Sequence, residues 1–212
     1  MSDIFYVYGG TAYANLTNKC PCRCTFCIRQ NGESVGNATN LWLNSDPTMD
    51  DILAALKEFP LSNFDELVFC GYGEPTCAVE NLAATAKYVK EHYNVKTRLN
   101  TNGLGNMING RDILPEIAPY LDAISISLNA PTAEKYDELC RPKYEGAFDE
   151  MLRFAKNCKG VIPEITLSVV DVISDDDIES CRKIAEDLGI HYLSLIHICR
   201  FTVTAEDKLV KI

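Results

Sequence analysis

Between Lys19 and Arg29 the chain reads Lys-Cys-Pro-Cys-Arg-Cys-Thr-Phe-Cys-Ile-Arg, with Cys20, Cys22, Cys24 and Cys27 inside eight positions and no acidic residue among them. Thiols at that density restrict the surrounding fold to one that serves a metal or a disulfide. Three of them, Cys20, Cys24 and Cys27, have the C-x3-C-x2-C spacing that can wrap three corners of an iron–sulfur cube. The fourth iron then lacks a protein ligand, which suits catalysis better than simple electron carriage. A structural zinc is the rival reading. Zinc sites usually split their ligands into two separated pairs, and no second C-x2-C pair follows; Cys70 and Cys77 are spaced poorly for one, and Cys140, Cys158 and Cys181 stand alone. A disulfide framework suits small secreted domains, and this sequence shows no export signal.

The chain has 212 residues, a length that suits one domain with a sizeable core. Ten cysteines without an export signal imply a reducing, cytoplasmic setting, and no apolar run is long enough to span a bilayer. The net charge of -10 argues against broad electrostatic capture of nucleic acid, though not against a local contact. Lys19, Arg23 and Arg29 form one basic patch beside the cysteines. It reads either as solvated surface charge or as a docking face for an acidic electron donor.

Along the chain, residues 3–8 form an extended lead-in that Gly9 and Gly10 break. Thr11 to Thr17 reads as a first core strand running straight into the cysteine loop. Polar residues 30–46 read as loop. Thr48 and Asp51 open a helix bearing Ile52, Leu53, Leu56 and Phe59, and Pro60 ends it. Further strands are expected at Glu66–Cys70, Val95–Thr101, Ala123–Leu128, Ile165–Val170 and from His191 onward. The helices between them carry Val79, Leu82, Ala86 and Val89; Phe148, Met151 and Ala155; and Ile178, Cys181, Ala185 and Leu188, the last capped by Ser174 and stopped by Gly189. A weaker helix near 111–118 is interrupted by Pro115, and the segment around Arg141-Pro142 reads as loop.

Strand and helix in alternation imply a parallel sheet with crossover helices. Six strands fit a partial (βα)6 barrel of the TIM type, with a flat doubly wound sheet as the alternative. The pattern within the strands favours the barrel. Arg98, Asn100 and Asn102 alternate with Thr97, Leu99 and Thr101; Ser125, Ser127 and Asn129 alternate with Ile124, Ile126 and Leu128; Thr166 and Ser168 alternate with Ile165, Leu167 and Val169. A sheet covered by helices on both faces reads apolar throughout, so one polar face implies a wet interior. The cysteine loop, Gly71-Tyr72-Gly73-Glu74-Pro75, Asn102-Gly103 and Asn129 follow successive strands. In a barrel they therefore share the carboxyl rim, where active sites form. The motifs have plainer readings as well: a tight turn that needs glycine, an Asn-Gly turn, and a core phenylalanine at Phe26. Arg98 and Arg141 read either as contacts for a carboxylate or phosphate or as surface or ion-paired arginines.

Cys20-x3-Cys24-x-Phe26-Cys27, with its aromatic, resembles the signature of radical S-adenosylmethionine (SAM) enzymes. Gly71-Tyr72-Gly73-Glu74-Pro75 resembles their Gly-Gly-Glu-Pro element with one residue between the glycines, and Thr101-Asn102-Gly103 resembles their Thr-Asn-Gly element. The resemblance covers roughly residues 11–192. It implies a [4Fe-4S] cluster on Cys20, Cys24 and Cys27 and SAM contacts from Phe26, Gly71, Gly73, Glu74, Asn102, Ser127, Asn129 and Ser168. It implies reductive SAM cleavage to a 5′-deoxyadenosyl radical that takes hydrogen from an unknown substrate, with a flavodoxin- or ferredoxin-type electron donor. Cys22 fits no ligand position. The overall run from Tyr8 through Cys20 and onward looks most like an uncharacterised branch associated with TatD-type nucleases, which implies a functional neighbour rather than a reaction. A zinc-stabilised binding module without catalysis is the competing function. The core domain is expected over 1–192. Residues 193–198, Leu-Ser-Leu-Ile-His-Ile, read either as an apolar strand or as the in-frame translation of a sequencing-library adapter, so 193–212 forms a doubtful tail. His92 and His191 read as surface or packing residues.

Overall fold

The computed structural model describes residues 3–30 and 32–195. Seven strands, β1 (Phe5–Tyr8), β2 (Thr11–Ala14), β3 (Glu66–Phe69), β4 (Lys96–Thr101), β5 (Ala123–Ser127), β6 (Glu164–Val170) and β7 (His191–Leu195), form one sheet in sequence order. Strands β2 to β7 are parallel throughout. A doubly wound sheet must reverse its strand order at a switch point; this order never reverses. Right-handed crossovers between consecutive neighbours put every helix on the same face, which gives the partial barrel expected.

The lead-in differs from expectation. It is a true strand, β1, antiparallel to β2 from Phe5↔Ala14 to Tyr8↔Thr11. Gly9 and Gly10, both at positive φ, close the hairpin between them.

The helices are α1 (Met49–Glu58), α2 (Val79–His92), α3 (Gly105–Asn109), α4 (Leu114–Ile117), α5 (Ala133–Cys140), α6 (Ala147–Cys158) and α7 (Asp175–Leu188). The predicted capping box of α1 is present, Thr48 and Asp51 each binding the other's backbone N–H. Gly189 ends α7 in the left-handed conformation. Pro115 does not interrupt a helix but lies in the first turn of α4, where a missing N–H costs nothing. Arg141 and Pro142 lie in a loop as expected, but it is preceded by a helix the sequence reading did not assign, α5, capped by Thr132, with Tyr136 and Cys140 buried one turn apart.

The core lies between sheet and helices: Leu67, Phe69, Leu99, Ile124, Ile126, Leu167 and Val169 face Ile52, Leu82, Val89, Met151, Phe154 and Ala185. On the opposite face β1–β3 carry a second, aromatic cluster of Tyr6, Tyr13, Val68 and Tyr72 against Leu41. Across β4–β6 that face is polar, with Asn100, Ser125 and Thr166 in register in one row and Ser127 beside Ser168 in the next. The alternation is clear in β4, where Thr97, Leu99 and Thr101 are buried and Arg98 and Asn100 only half-buried. Leu193, Ser194 and Leu195 pair with β6, and the rest of the tail, 196–212, lies outside the described residues.

Candidate active site

The cysteine loop leaves β2 and is pinned on two sides. Asn15, fully buried, donates to the Leu41 carbonyl (2.7 Å) and accepts the Tyr72 N–H (3.2 Å), joining the end of β2 to the turn after β3. The Lys19 carbonyl accepts the Glu74 N–H at 2.8 Å. On the far side the loop lies along the end of α5: Cys22 bridges to Pro142, Arg23 N–H donates to the Cys140 carbonyl (3.0 Å), and Thr25 N–H donates to the Leu139 carbonyl (2.9 Å). Arg141 makes this possible by taking the left-handed conformation (φ 47°) that turns the chain back after α5.

Both glycines of the turn after β3 are required by close approach. A Cβ on Gly73 would stand 2.2 Å from the Thr17 carbonyl oxygen and 2.7 Å from that of Lys19, and one on Gly71 would stand 2.1 Å from Asn15 Oδ1. Tyr72 turns its ring into the aromatic cluster, and its hydroxyl donates to the Gly32 carbonyl at 2.7 Å. Tyrosine between the glycines thus anchors the 32–42 loop without obstructing the turn.

Glu74 is 5% exposed, and its carboxylate is taken up by the neighbouring turns. Oε1 accepts Thr76 N–H, Thr76 Oγ1 and Thr101 Oγ1 at 3.1, 2.8 and 2.6 Å, and Oε2 accepts Asn102 N–H at 2.8 Å. Burial raises its carboxyl above the usual range despite those donors. Oε2, with one protein donor, keeps lone-pair capacity. Asn102 accepts Leu104 N–H on Oδ1 (2.9 Å) and points its amide at Cys22 Sγ (3.7 Å). Asn129, at φ 56°, accepts Val170 N–H (3.3 Å) and points its amide at Cys140 Sγ (3.7 Å). Ser168 is buried and its hydroxyl donates to the Ile126 carbonyl at 3.5 Å, while Ser127 and Phe26 are half-buried near the same rim.

Cys20, Cys24 and Cys27 are half-buried, whereas Cys22 and Cys140 are buried. A hydrogen bond from Cys22 holds the Cys20 thiol below its ordinary range, and hydrogen bonds from Cys140 and Cys22 do the same, more strongly, for Cys24. Cys22 and Cys140 move the other way, because they hold their protons toward those sulfurs and are buried. The two thiols shifted downward are thus two of the three at cluster spacing, a donor set that fits an iron–sulfur cube. Among the described residues no three His, Cys, Asp or Glu side chains converge as one metal ion requires; a cube places each thiolate on a different iron and needs no such convergence.

The remaining candidates lie elsewhere. Arg98 forms a paired fork with Glu66 (3.1 and 2.9 Å) near the amino ends of the strands. Lys19 is held by Asp46 at 2.6 Å, and Arg29 donates to the Asn18 carbonyl and covers the Trp42 ring, so much of the expected basic patch is locally committed. Sequence reading gave no site role to Asn15 or Cys140, and named Thr101 only as part of the Thr-Asn-Gly element, without its bond to Glu74. Asn15 sits at the strand-to-loop junction of the cysteine motif, and that position was its one signal.

A partial barrel with a cysteine loop at its carboxyl rim, braced by a glycine-glutamate turn, gathers thiols, carbonyls and a buried carboxylate at one end of a parallel sheet. The sequence model of the radical SAM superfamily matches residues 14–188, and this chain belongs to that superfamily. It is similar to the probable dual-specificity RNA methyltransferase RlmN of Pseudothermotoga lettingae, 28% identical over 194 residues, which cover 88% of this chain and 53% of that protein. The chain thus spans about half the length of that curated relative. Among solved structures it resembles TYW1 with a lysine-pyruvate adduct bound (TM-score 0.62, 16% identity, 95% of this chain and 69% of that one). It also resembles Streptococcus suis SuiB bound to S-adenosylmethionine (TM-score 0.60, 17% identity, 93% and 39%). At these identities the two structures bear on the fold alone.

Proposed function

We propose that this chain is the catalytic core of a radical SAM enzyme, with a [4Fe-4S] cluster on Cys20, Cys24 and Cys27 and SAM on the strand ends beside it. The observation that carries the reading is the cysteine loop itself, tied to the Glu74 turn on one side and to the end of α5 on the other. Bound together, the cluster and SAM supply a 5′-deoxyadenosyl radical able to take a hydrogen atom from a substrate. The protein's part is to hold, orient and shield. The Gly71–Glu74 turn presents carbonyls and Glu74 Oε2 to the ammonium of SAM, and Phe26 packs beside its adenine. Ser127 and Ser168 offer hydroxyls to its ribose and carboxylate. Asn102 and Asn129 hold the rim in shape, since their carboxamides already bind backbone N–H groups. The polar face of β4–β6 receives the substrate.

An acidic one-electron donor of the flavodoxin or ferredoxin kind fits the cysteine side of the rim, where Arg23 is exposed. The Tyr8–Cys20 run supports placing the chain in the TatD-nuclease-associated branch. The RlmN relative supports RNA methylation as a second substrate reading; the net charge of -10 weighs against a large RNA surface on this segment.

The test is anaerobic reconstitution. The wild type is expected to bind iron and sulfide, show the visible charge-transfer absorption of a cluster, and release 5′-deoxyadenosine slowly from SAM under a strong reductant. Cys20→Ala/Cys24→Ala/Cys27→Ala is expected to lose all three properties. Tight zinc without iron uptake, and no SAM cleavage, would establish the binding-module reading instead.

A further inference from the structure

Arg29 follows Cys27 by two positions and reaches back across the whole cysteine loop. Its Nη1 donates to the Asn18 carbonyl at 3.1 Å, and its guanidinium carbon lies 5.7 Å from the centre of the Trp42 ring. Asn18 stands just before Lys19 and Cys20, so one side chain ties together the two ends of the segment that carries Cys20, Cys22, Cys24 and Cys27. The turn beside Arg29 is bonded to itself. Cys27 N–H donates to the Cys24 carbonyl (3.2 Å), Gln30 N–H to the Cys27 carbonyl (3.0 Å) and Gln30 Nε2 to the Cys24 carbonyl (3.0 Å). Such a turn moves as a unit, and Arg29 fixes its place against the stem of the loop.

Both anchors of Arg29 are held in turn. Asn18 pairs with Leu43 in both directions, Nδ2 donating to the Leu43 carbonyl (2.6 Å) and Oδ1 accepting the Leu43 N–H (3.1 Å). Trp42, next to Leu43, meets the Tyr72 ring edge-on with ring centres 5.1 Å apart. Tyr72 is itself fixed by Asn15 and by the Gly32 carbonyl. Arg29 and Trp42 are both half-buried, a setting in which a cation over an aromatic face counts for more than it does in open water. A guanidinium can donate at its edge while covering a ring with its face, whereas a lysine ammonium is a point charge.

We infer that Arg29 is a positioning residue that clasps the cysteine loop shut through Asn18 and Trp42 and thereby retains the cluster. The inference rests on the proposal that Cys20, Cys24 and Cys27 hold that cluster. Releasing it requires the Cys20 end of the loop and the Cys24–Cys27 turn to separate. The clasp opposes that separation through a carbonyl and a ring.

The experiment follows loss of iron from the anaerobically reconstituted protein to excess EDTA. Beside it, the emission of Trp42, the one tryptophan of the chain, is recorded in the metal-free protein. Arg29→Met and Trp42→Leu are expected to take up the wild-type amount of iron and to lose it about fivefold faster. Arg29→Lys and Trp42→Phe, which keep a cation and a ring, are expected to recover part of that difference. The double variant Arg29→Met/Trp42→Leu is expected to lose iron no faster than the faster single variant, because each residue acts through the other. In metal-free Arg29→Met the uncovered ring is expected to emit at longer wavelength and to be quenched more by acrylamide. A wild-type loss rate in Arg29→Met overturns the inference and leaves the cluster proposal standing. Single effects that multiply in the double variant overturn it too, as do conservative variants that lose iron as fast as the truncated ones. Unchanged emission in Arg29→Met removes the clasp itself, by a measurement that needs no iron. Should Trp42→Leu fail to fold, Arg29→Met against Arg29→Lys, with the ring in place, decides the matter. A wild type that takes up no iron removes both the inference and the reading beneath it.

Discussion

The Glu74 carboxylate accepts the backbone N–H of Asn102 at 2.8 Å, so the turn after β3 and the turn after β4 share one buried anion. Oε1 of the same group takes three further donors from Thr76 and Thr101. Glu74→Gln keeps one oxygen but turns an NH2 toward the Asn102 N–H, two donors face to face. Leaving a buried N–H without an acceptor costs about 1–3 kcal/mol. Chemical denaturation of the metal-free variant is expected to show a loss of that size, with SAM affinity of the reconstituted form reduced alongside. Wild-type stability together with wild-type SAM affinity would remove the bracing role.

Gly73→Ala tests the close approach of the turn to the cysteine loop. The new Cβ meets backbone atoms, the Thr17 and Lys19 carbonyls, which cannot swing aside as a side chain would. The Lys19 carbonyl precedes Cys20, so the loop must shift at the first of the proposed cluster cysteines. Reduced iron incorporation is expected in a variant whose far-ultraviolet circular dichroism stays close to wild type. Gly10→Ala, where a Cβ meets nothing within 4 Å, is the control for a glycine substitution as such, at a position also strained by its positive φ. Full iron loading in Gly73→Ala would show that the loop yields freely.

Much of the barrel was legible because its strands alternate polar and apolar residues and its helices carry clear signals, as at Thr48–Asp51 and Ser174 with Gly189. What escaped was structure fixed by partners rather than by pattern. The helix α5 buries only Tyr136 and Cys140 and otherwise reads as polar loop. The edge strand β1 depends on β2 for its whole ladder. The three cysteines at cluster spacing were picked out from spacing alone. Cys140 was not, because nothing local in Leu-Cys-Arg-Pro announces that it will pack against Cys24; that contact exists only once α5 lies along the loop. The individual roles of Glu74 and Asn129 were likewise invisible, since both are defined by backbone groups far away in sequence.

Asn129 joins the end of β5 to the end of β6 while holding φ at 56°, a conformation that asparagine tolerates better than most residues. Asn129→Ala is expected to lose about 1–3 kcal/mol, from left-handed strain plus the unpaired Val170 N–H. Asn129→Gly, free of the strain, should recover part of that loss but not the hydrogen bond. Equal stability of the two variants in thermal unfolding would mean that strain contributes nothing here.

Asp122 gives a dependence on pH whose sign is fixed by its contacts. It lies just before β5, where Oδ2 accepts Thr97 N–H at 2.8 Å and both oxygens accept from Lys90 Nζ at 2.7 and 2.9 Å. Partial burial alone would raise its carboxyl, but the Lys90 ammonium and the Thr97 N–H outweigh it and hold the group below its ordinary value of 3.8. A carboxyl depressed in the folded state stabilises the fold fully above its unfolded pKa, and the contribution fades as pH falls through the folded value. Asp122→Asn is therefore expected to cost about 1 kcal/mol near neutral pH, a modest figure because the Lys90 pair is partly open to solvent. The gap between wild type and variant should close once pH has fallen through the depressed folded value, where wild-type Asp122 also becomes neutral. A gap that stays constant from pH 7 to that limit would assign the cost to packing or hydrogen-bond geometry and not to the charge.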